Sequence, residues 1–495
     1  MIPPSTSTTS AHTPTDGPWP LRLWGVLAVL CLVVFLDGLD VSMVGVALPS
    51  IGTDLNLSTT ALQWVVNGYV LGFGGLLLLG GRTADLLGRR KVFLAALAVF
   101  AVASLLGGLV DDGPLMIATR LVKGVAAAFT APTAMSIITT TFPEGHARNK
   151  ALSIFAVFGA SGYSSGLIFG GLLTGLGWRW TFLMPVPLAI IALIVGWRLV
   201  PKDRPAATGG YDLVGAATLT GGMLLAVYTV VTAPENGWTH PLTVGSFLVA
   251  AALLAAFVAA ERRVAHPLVR LGLLRIGTIV RANLAIMALF GTYLSFQFLM
   301  TIYLQSVLHW PPLVMALALA PAGIIVAVGS PFVGKLIDRV GSTPLIVGAL
   351  VSLTSGYLLF LAVGGSPEPD YLTEMLPSVL LLGVGFMLGF SSIMSQATSG
   401  VSDDEQGLAS GLVQTSGQIG GAVVLAVVTA LVTSGRHTAD ALEGGGIGQF
   451  RPGLILLVIV GAAGVAIAAS GLRRRRATPA EATPEPARVL ETASR

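Results

Sequence analysis

Cysteine is nearly absent from this chain of 495 residues: Cys31 is the only one. That excludes an internal disulfide and any cysteine-based metal centre. Histidine is scarce too. His146, His240, His266, His309 and His437 fall near loops and His12 lies in the N-terminal tail, so no metal site and no nucleophile–base pair can be assembled from the sequence. Charged residues make up 11% of the chain, against about 25% in soluble domains. A soluble enzyme and a disordered chain are thereby excluded. No GxxxxGK[ST] loop is present, so nothing would cradle the phosphates of ATP. The isoelectric point is 9.3, yet the net charge is only +4, too little for a nucleic-acid footprint. No catalytic constellation remains, and the chain is read as something other than an enzyme.

Apolar residues are what the chain has in abundance. They make up 54% of it, and its mean hydropathy is +0.82. A spanning helix needs roughly 20 mostly apolar residues. Fourteen such runs occur: 21–48, 60–80, 92–110, 115–141, 151–175, 180–197, 213–232, 242–260, 282–308, 313–334, 343–364, 375–400, 407–434 and 452–472. They are close-spaced and rich in Leu, Ala, Gly and Val, which predicts an all-α membrane protein and not a barrel of alternating strands. Residues 1–20 and 473–495 are polar or proline-rich and read as disordered tails. No small-residue cleavage site follows a short apolar core, so the first run reads as an uncleaved anchor.

Basic residues orient the spans. With the N-terminus inside, 23 of the 28 Lys and Arg fall in inside segments, among them Arg89, Arg90, Lys91 and Arg473 to Arg476. Arg179, Arg436 and Arg451 fall outside, and Arg120 and Lys123 lie within a span. Both termini are expected in the cytoplasm, and the composition suggests a bacterial inner membrane.

The pattern Gly-x-x-x-Asp-x-x-Gly occurs twice: Gly81, Asp85 and Gly88 between spans 2 and 3, and Gly334, Asp338 and Gly341 between spans 10 and 11. SSGLIFGG (164–171) in span 5 is echoed by TSGQIGG (415–421) in span 13. Eight spans separate each pair, which predicts two six-helix halves, 21–200 and 266–472, with two helices inserted between them in 201–265. Parallel halves of this kind place a substrate path at their interface.

These segments resemble those of the Major Facilitator Superfamily, specifically its fourteen-helix drug:proton antiporter branch. GRTADLLGRRK (81–91) is similar to the superfamily's signature loop, and LDVSMVGVALP (39–49) to the branch's first-helix signature, with its acid at Asp40. RLVKGVAAAF (120–129) resembles the fourth-helix signature, with its basic residue at Arg120 and Lys123 where an amide is usual. GYSSGLIFGG (162–171) resembles the fifth-helix antiporter signature, and WRWTFLMPVP (178–187) the segment after it. The resemblance implies proton-coupled export of an amphipathic drug or antibiotic by alternating access, with protons as coupling ion, no bound cofactor, membrane lipid around a monomer, and no nucleic-acid partner. Export of a lipid or cell-envelope component is the nearest rival. A receptor or scaffold that moves nothing is the rival from another class.

Four charges lie deep in spans: Asp37, Asp40, Arg120 and Lys123. An ionisable residue there is expensive and is a functional candidate by default. At 1.5 Å per residue, Asp40 lies ~12 Å and Asp37 ~16 Å below one membrane face, Arg120 ~9 Å and Lys123 ~13 Å. The i, i+3 spacing of each pair puts it on one helix face. Two acids facing two bases are neutral together. The functional reading is a proton switch centred on Asp40, tuned by Arg120 or Lys123; the alternative is a static salt-bridge cluster. Gly81, Asp85, Gly88 and Arg89 read as a conformational latch, the glycines allowing a tight turn and Asp85 capping a helix start or pairing with Arg89, with Asp338 and Arg339 in the same place in the second half. The alternative is a topology-setting basic loop. Gly162, Gly166 and Gly170 recur every four residues, the spacing of closely packed helices, whether sliding or static. Gln63, Trp64, Asn67, Tyr293, Gln297, Gln414 and Gln418 are candidates for the cavity lining or for plain interhelical hydrogen bonds.

Overall fold

The computed structural model describes residues 19–143, 146–202, 212–264, 272, 275–363, 370–399, 403–434 and 447–477. Both expected tails and the connection around Gly209 lie wholly or mostly outside them. Fourteen helices are long and apolar enough to cross a membrane. They are α1 (Leu21–Asp54), α2 (Thr59–Ala84), α3 (Arg89–Leu109), α4 (Gly113–Thr141), α5 (Lys150–Leu176), α6 (Trp180–Leu199), α7 (Val214–Ala233), α8 (Pro241–Glu261), α9 (Gly277–Val307), α10 (Pro312–Val340), α11 (Ser342–Ala362), α12 (Tyr371–Thr398), α13 (Ala409–Thr433) and α14 (Ile447–Leu472). Each corresponds to one of the fourteen apolar runs. Among the described residues there is no strand.

Polar residues at the ends of the runs start the helices. Ser58 accepts the Ala61 amide at 3.2 Å, Asp112 that of Leu115 at 3.0 Å, and Asp212 that of Gly215 at 2.7 Å. Each satisfies one of the amides a helix start leaves without a partner. The helix of α2 continues to Leu87 and stops at Gly88, whose φ is +95°; α10 stops at Gly341, with φ +86°. Left-handed backbone at a helix end favours glycine, so the second glycine of each repeated motif is the one that turns the chain. Gly81 and Gly334 do not turn anything. Both are helical, and a Cβ on Gly81 would sit 3.7 Å from Pro132. Asp85 lies in the last helical turn of α2, and Gly88 holds the N-cap position of α3.

The repeat is visible in the packing. In α1–α6 the main contacts pair α1 with α5, α2 with α4 and α3 with α4; in α9–α14 they pair α9 with α13, α10 with α12 and α11 with α12. The same ordinal helices meet in both sets. The glycine echoes serve the same contact. Gly162, Gly166 and Gly170 face the α1 backbone, a Cβ on Gly170 reaching Met43 Cα at 2.9 Å. On α13, a Cβ on Gly420 would strike the Met287 backbone of α9. The stripe on α5 therefore packs within its own six-helix set.

The two sets meet along two seams, α5 on α10 and α2 on α13. We call the end carrying the 55–58, 110–112 and 177–179 connections distal and the other proximal. At the distal end Gln305 donates to the Val46 carbonyl of α1 at 2.8 Å, and Gly171 lies against Pro312, Leu313 and Ala316. At the proximal end α10 is mostly exposed from Pro331 to Val340. The inserted pair α7 and α8 pack on each other, and α7 also packs on both α2 and α13.

Candidate functional site

The four deep charges converge where α1, α2, α3, α4 and the start of α6 meet. Asp40 is fully buried between two cations: one carboxylate oxygen pairs with the Arg120 guanidinium and the other with the Lys123 ammonium. Both cations are held from behind. Arg120 Nε donates to the Val65 carbonyl at 3.0 Å, and its guanidinium carbon lies 4.7 Å from the centre of the Tyr69 ring. Lys123 Nζ donates to Ser104 Oγ at 3.0 Å, and Ser104 in turn donates to the Phe182 carbonyl at 2.7 Å. The Phe100 and Phe182 rings lie 4.7 and 5.3 Å from Lys123 Nζ, cation–π distances. Buried ions need such full partnering, since removing one partner leaves an uncompensated charge.

Asp37 has different surroundings. It is half-buried, and its carboxylate accepts from Thr130 at 3.3 Å. Among the described residues no cation lies within ion-pair distance of it. Small residues make the close approach possible: Gly124 of α4 lies against the Tyr69 backbone of α2, and Gly72 against that of Leu121 and Val125.

The cavity candidates divide. Tyr293 and Gln297 face the other half: the Tyr163 hydroxyl of α5 donates to Gln297, and the Tyr163 and Tyr293 rings are 6.4 Å apart. Phe386 lies 4.6 Å from Tyr293 and extends this aromatic wall. Gln414 and Gln418 are half-buried on α13, Gln418 against Gly74 of α2. Trp64 does not face this space; its ring lies 6.3 Å from Tyr228 on the inserted α7. Gln63 and Asn67 are fully buried, and among the described residues none of their side-chain N or O atoms has a hydrogen-bond partner. Of the latch candidates, the Asp85 side chain lies outside the described residues, Arg89 is half-buried at the start of α3, and Asp338 and Arg339 are exposed on the proximal surface.

Ser104, Tyr163 and Thr130 were not singled out from the sequence. Ser104 had a usable signal, a hydroxyl inside the apolar run FAVASLLGGL. Tyr163 sits within the quoted fifth-helix segment, but periodicity alone does not say which helix it meets.

The family model for the Major Facilitator Superfamily matches residues 30–425.

The chain belongs to the Major Facilitator Superfamily.

It is a multi-pass membrane transporter, not an enzyme. This superfamily member is 38% identical over 427 residues to the puromycin resistance protein pur8 of Streptomyces alboniger, covering 84% of this chain and 83% of that one. It is 36% identical over 421 residues to the cephamycin export protein CmcT of Amycolatopsis lactamdurans, covering 84% and 86%. Its fold matches the crystal structure of the POT family transporter PepTSo with a TM-score of 0.65 over 92% of this chain and 99% of that one, at 17% identity.

Proposed function

We propose that this transporter exports amphipathic organic compounds, of the drug or antibiotic kind, in exchange for protons. The observation that carries this reading is the unequal pair of acids on α1. Asp40 is locked between Arg120 and Lys123, while Asp37 is half-buried and, among the described residues, has only a hydroxyl partner. Proton exchange needs a group that water or cargo can reach. Asp37 is therefore the exchanging acid, and the Asp40–Arg120–Lys123 triad sets the positive field it works in. A single acid between two cations leaves one net positive charge, which an ionised Asp37 neutralises and a protonated Asp37 does not. That difference can bias one conformation over another.

The names of the relatives, a puromycin resistance protein and a cephamycin export protein, support a small toxic organic cargo. The 23 basic residues in the segments read as inside support a cytoplasmic proximal end, both termini cytoplasmic, and residence in the bacterial inner membrane. The working units are residues 21–200 and 266–472, with 201–265 inserted, acting as a monomer. The repeated turns at Gly88 and Gly341 act as latches, in which Asp85, Arg89, Asp338 and Arg339 hold the proximal ends of the halves together in the opposite state. Asp85→Asn then slows efflux and leaves cargo binding intact.

The test is efflux from reconstituted vesicles with an imposed pH step. Asp37→Asn should abolish the pH-driven component and leave cargo exchange down its own gradient. A full pH-driven rate in Asp37→Asn would remove that acid from the mechanism. Loss of the same component in Asp40→Asn, in a variant that folds normally, would hand the role to Asp40.

A further inference from the structure

The distal part of the α2–α13 seam buries three polar side chains that bond to nothing. Gln63 and Asn67 of α2 are 0% exposed and Thr429 of α13 is 2% exposed. Among the described residues, neither the nitrogen nor the oxygen of either amide, nor the Thr429 hydroxyl, has a hydrogen-bond partner.

The register of the seam brings the three together. A Cβ on Gly74 would strike Gln418, so those two positions face each other, and the contacts of Val70 with Gly421 and of Leu78 with Gly411 show the helices antiparallel. Seven residues nearer the distal end, Asn67 comes level with Leu425; eleven residues nearer, Gln63 comes level with Thr429. Seven and eleven residues are close to two and three full turns of helix, so all four return to the face that Gly74 and Gln418 share. The other faces of α2 are taken, with Val65 and Gly68 toward α4 and Trp64 and Gly75 toward α7. Gln63 and Thr429 each lie four residues from the distal end of their helix, or ~6 Å, and Asn67 lies ~12 Å in. Gln297 and Tyr293 of the aromatic wall are 10 and 14 residues from the distal end of α9, ~15 and ~21 Å in. The three orphans therefore stand between that wall and the distal surface.

An amide sealed opposite a leucine costs stability, and a hydrophobe of like size would pack there without the penalty. Such a group calls for a ligand, or for a second state that supplies one. The carboxamides offer donors and acceptors, the hydroxyl offers both, and none is charged. Given the export reading, we propose that Gln63, Asn67 and Thr429 form a release site: when the distal seam opens they bind an uncharged amide or hydroxyl group of the departing cargo, and closure of the seam expels it. The atoms that closure buries are the ones the ligand occupied, so the site cannot be closed and filled at once.

The experiment compares binding of two organic cations to the full chain in nanodiscs: puromycin, which carries an amide and hydroxyls, and tetraphenylphosphonium, which has no hydrogen-bonding group. The ratio of their affinities cancels any change in how often the seam is open. Gln63→Leu, Asn67→Leu and Thr429→Val should each weaken puromycin relative to tetraphenylphosphonium by about 2- to 12-fold, the worth of one hydrogen bond; Thr429→Ser should not. Equal weakening of both probes, or of neither, overturns the site. Opening is read separately. Asn67→Cys, or Thr429→Cys if the first does not transport, should react with a membrane-impermeant maleimide applied from the distal side, while Cys31, 1% exposed, gives the blank in the unaltered chain. No reaction in a transporting variant overturns the opening and the site with it. An unaltered chain that binds both probes with the expected ratios yet transports neither overturns the export reading and leaves the site standing. One that binds neither overturns the site.

Discussion

Asp40 shows why a residue's neighbours matter more than its burial. Its two cations are on α4, and their second contacts are on α2, α3 and the start of α6. Asp40→Asn therefore leaves two buried cations facing each other, and breaking such a set costs about 3–5 kcal/mol. Purified Asp40→Asn should melt well below the unaltered protein, and adding Lys123→Met should recover most of the loss; a simple thermal melt in detergent compares them. Asp37→Asn removes no ion pair and should melt close to the parent. Gln63 and Asn67 present the reverse case. Their amides are buried without partners, a penalty of about 1–3 kcal/mol for each group left unsatisfied. Gln63→Leu and Asn67→Leu, similar in size, should raise the melting temperature of the state seen here. A fall in both variants would mean that the amides have partners in that state.

At the scale of elements, the contact between α1 and α5 is set by backbone proximity. A side chain on Gly166 would strike the Leu39 carbonyl and Ser42 of α1. A backbone cannot give way as a flexible side chain does, so Gly166→Leu belongs at or above the top of the usual overpacking range of about 1–3 kcal/mol. Gly45, on α1 itself, faces nothing within 4 Å. Gly45→Ala should leave yield and elution volume unchanged, while Gly166→Leu should aggregate or fail to accumulate. Equal behaviour of the two would show that the stripe is not a packing surface. The stripe was legible in the sequence as a four-residue repeat. Its partner was not, because spacing along one helix carries no information about which helix lies opposite.

For the whole molecule, the charge asymmetry of the connections is the observation that supports the proposed sidedness. Of the 28 basic residues, the sequence puts three, Arg179, Arg436 and Arg451, in the segments read as outside. Arg179 is tied there, donating to Asp54 at 2.7 Å and also to Asp111, with its guanidinium over Trp178. A reporter active only outside the cytoplasm should be silent when fused after Gly209 or Arg495 and active when fused within 234–240. Activity at Arg495 would mean an odd number of spans or an inverted chain. The halves pack with the same ordinal pairs, so an alternating movement would turn on the two seams between them.

What the sequence determined by itself was whatever depends on transfer into lipid and on local spacing. Fourteen apolar runs had to become helices, because only a helix satisfies its own backbone in hydrocarbon. Loop charge set the expected orientation, the repeated motifs marked two equivalent halves, and depth counting put Asp40 level with Lys123. Tertiary structure decided what depends on rotation about each helix axis and on which helices are neighbours. It took Asp37 out of the ion pairs, three residues from Asp40 though it is, because α4 presents both cations to one side of α1. It turned Trp64 onto the inserted α7 and, of the two glycines expected to allow the turn, left the turn to Gly88. The inserted helices themselves illustrate the division: their existence could be counted from the runs, but their seat across α2 and α13 follows from side chains that meet only when both halves are folded.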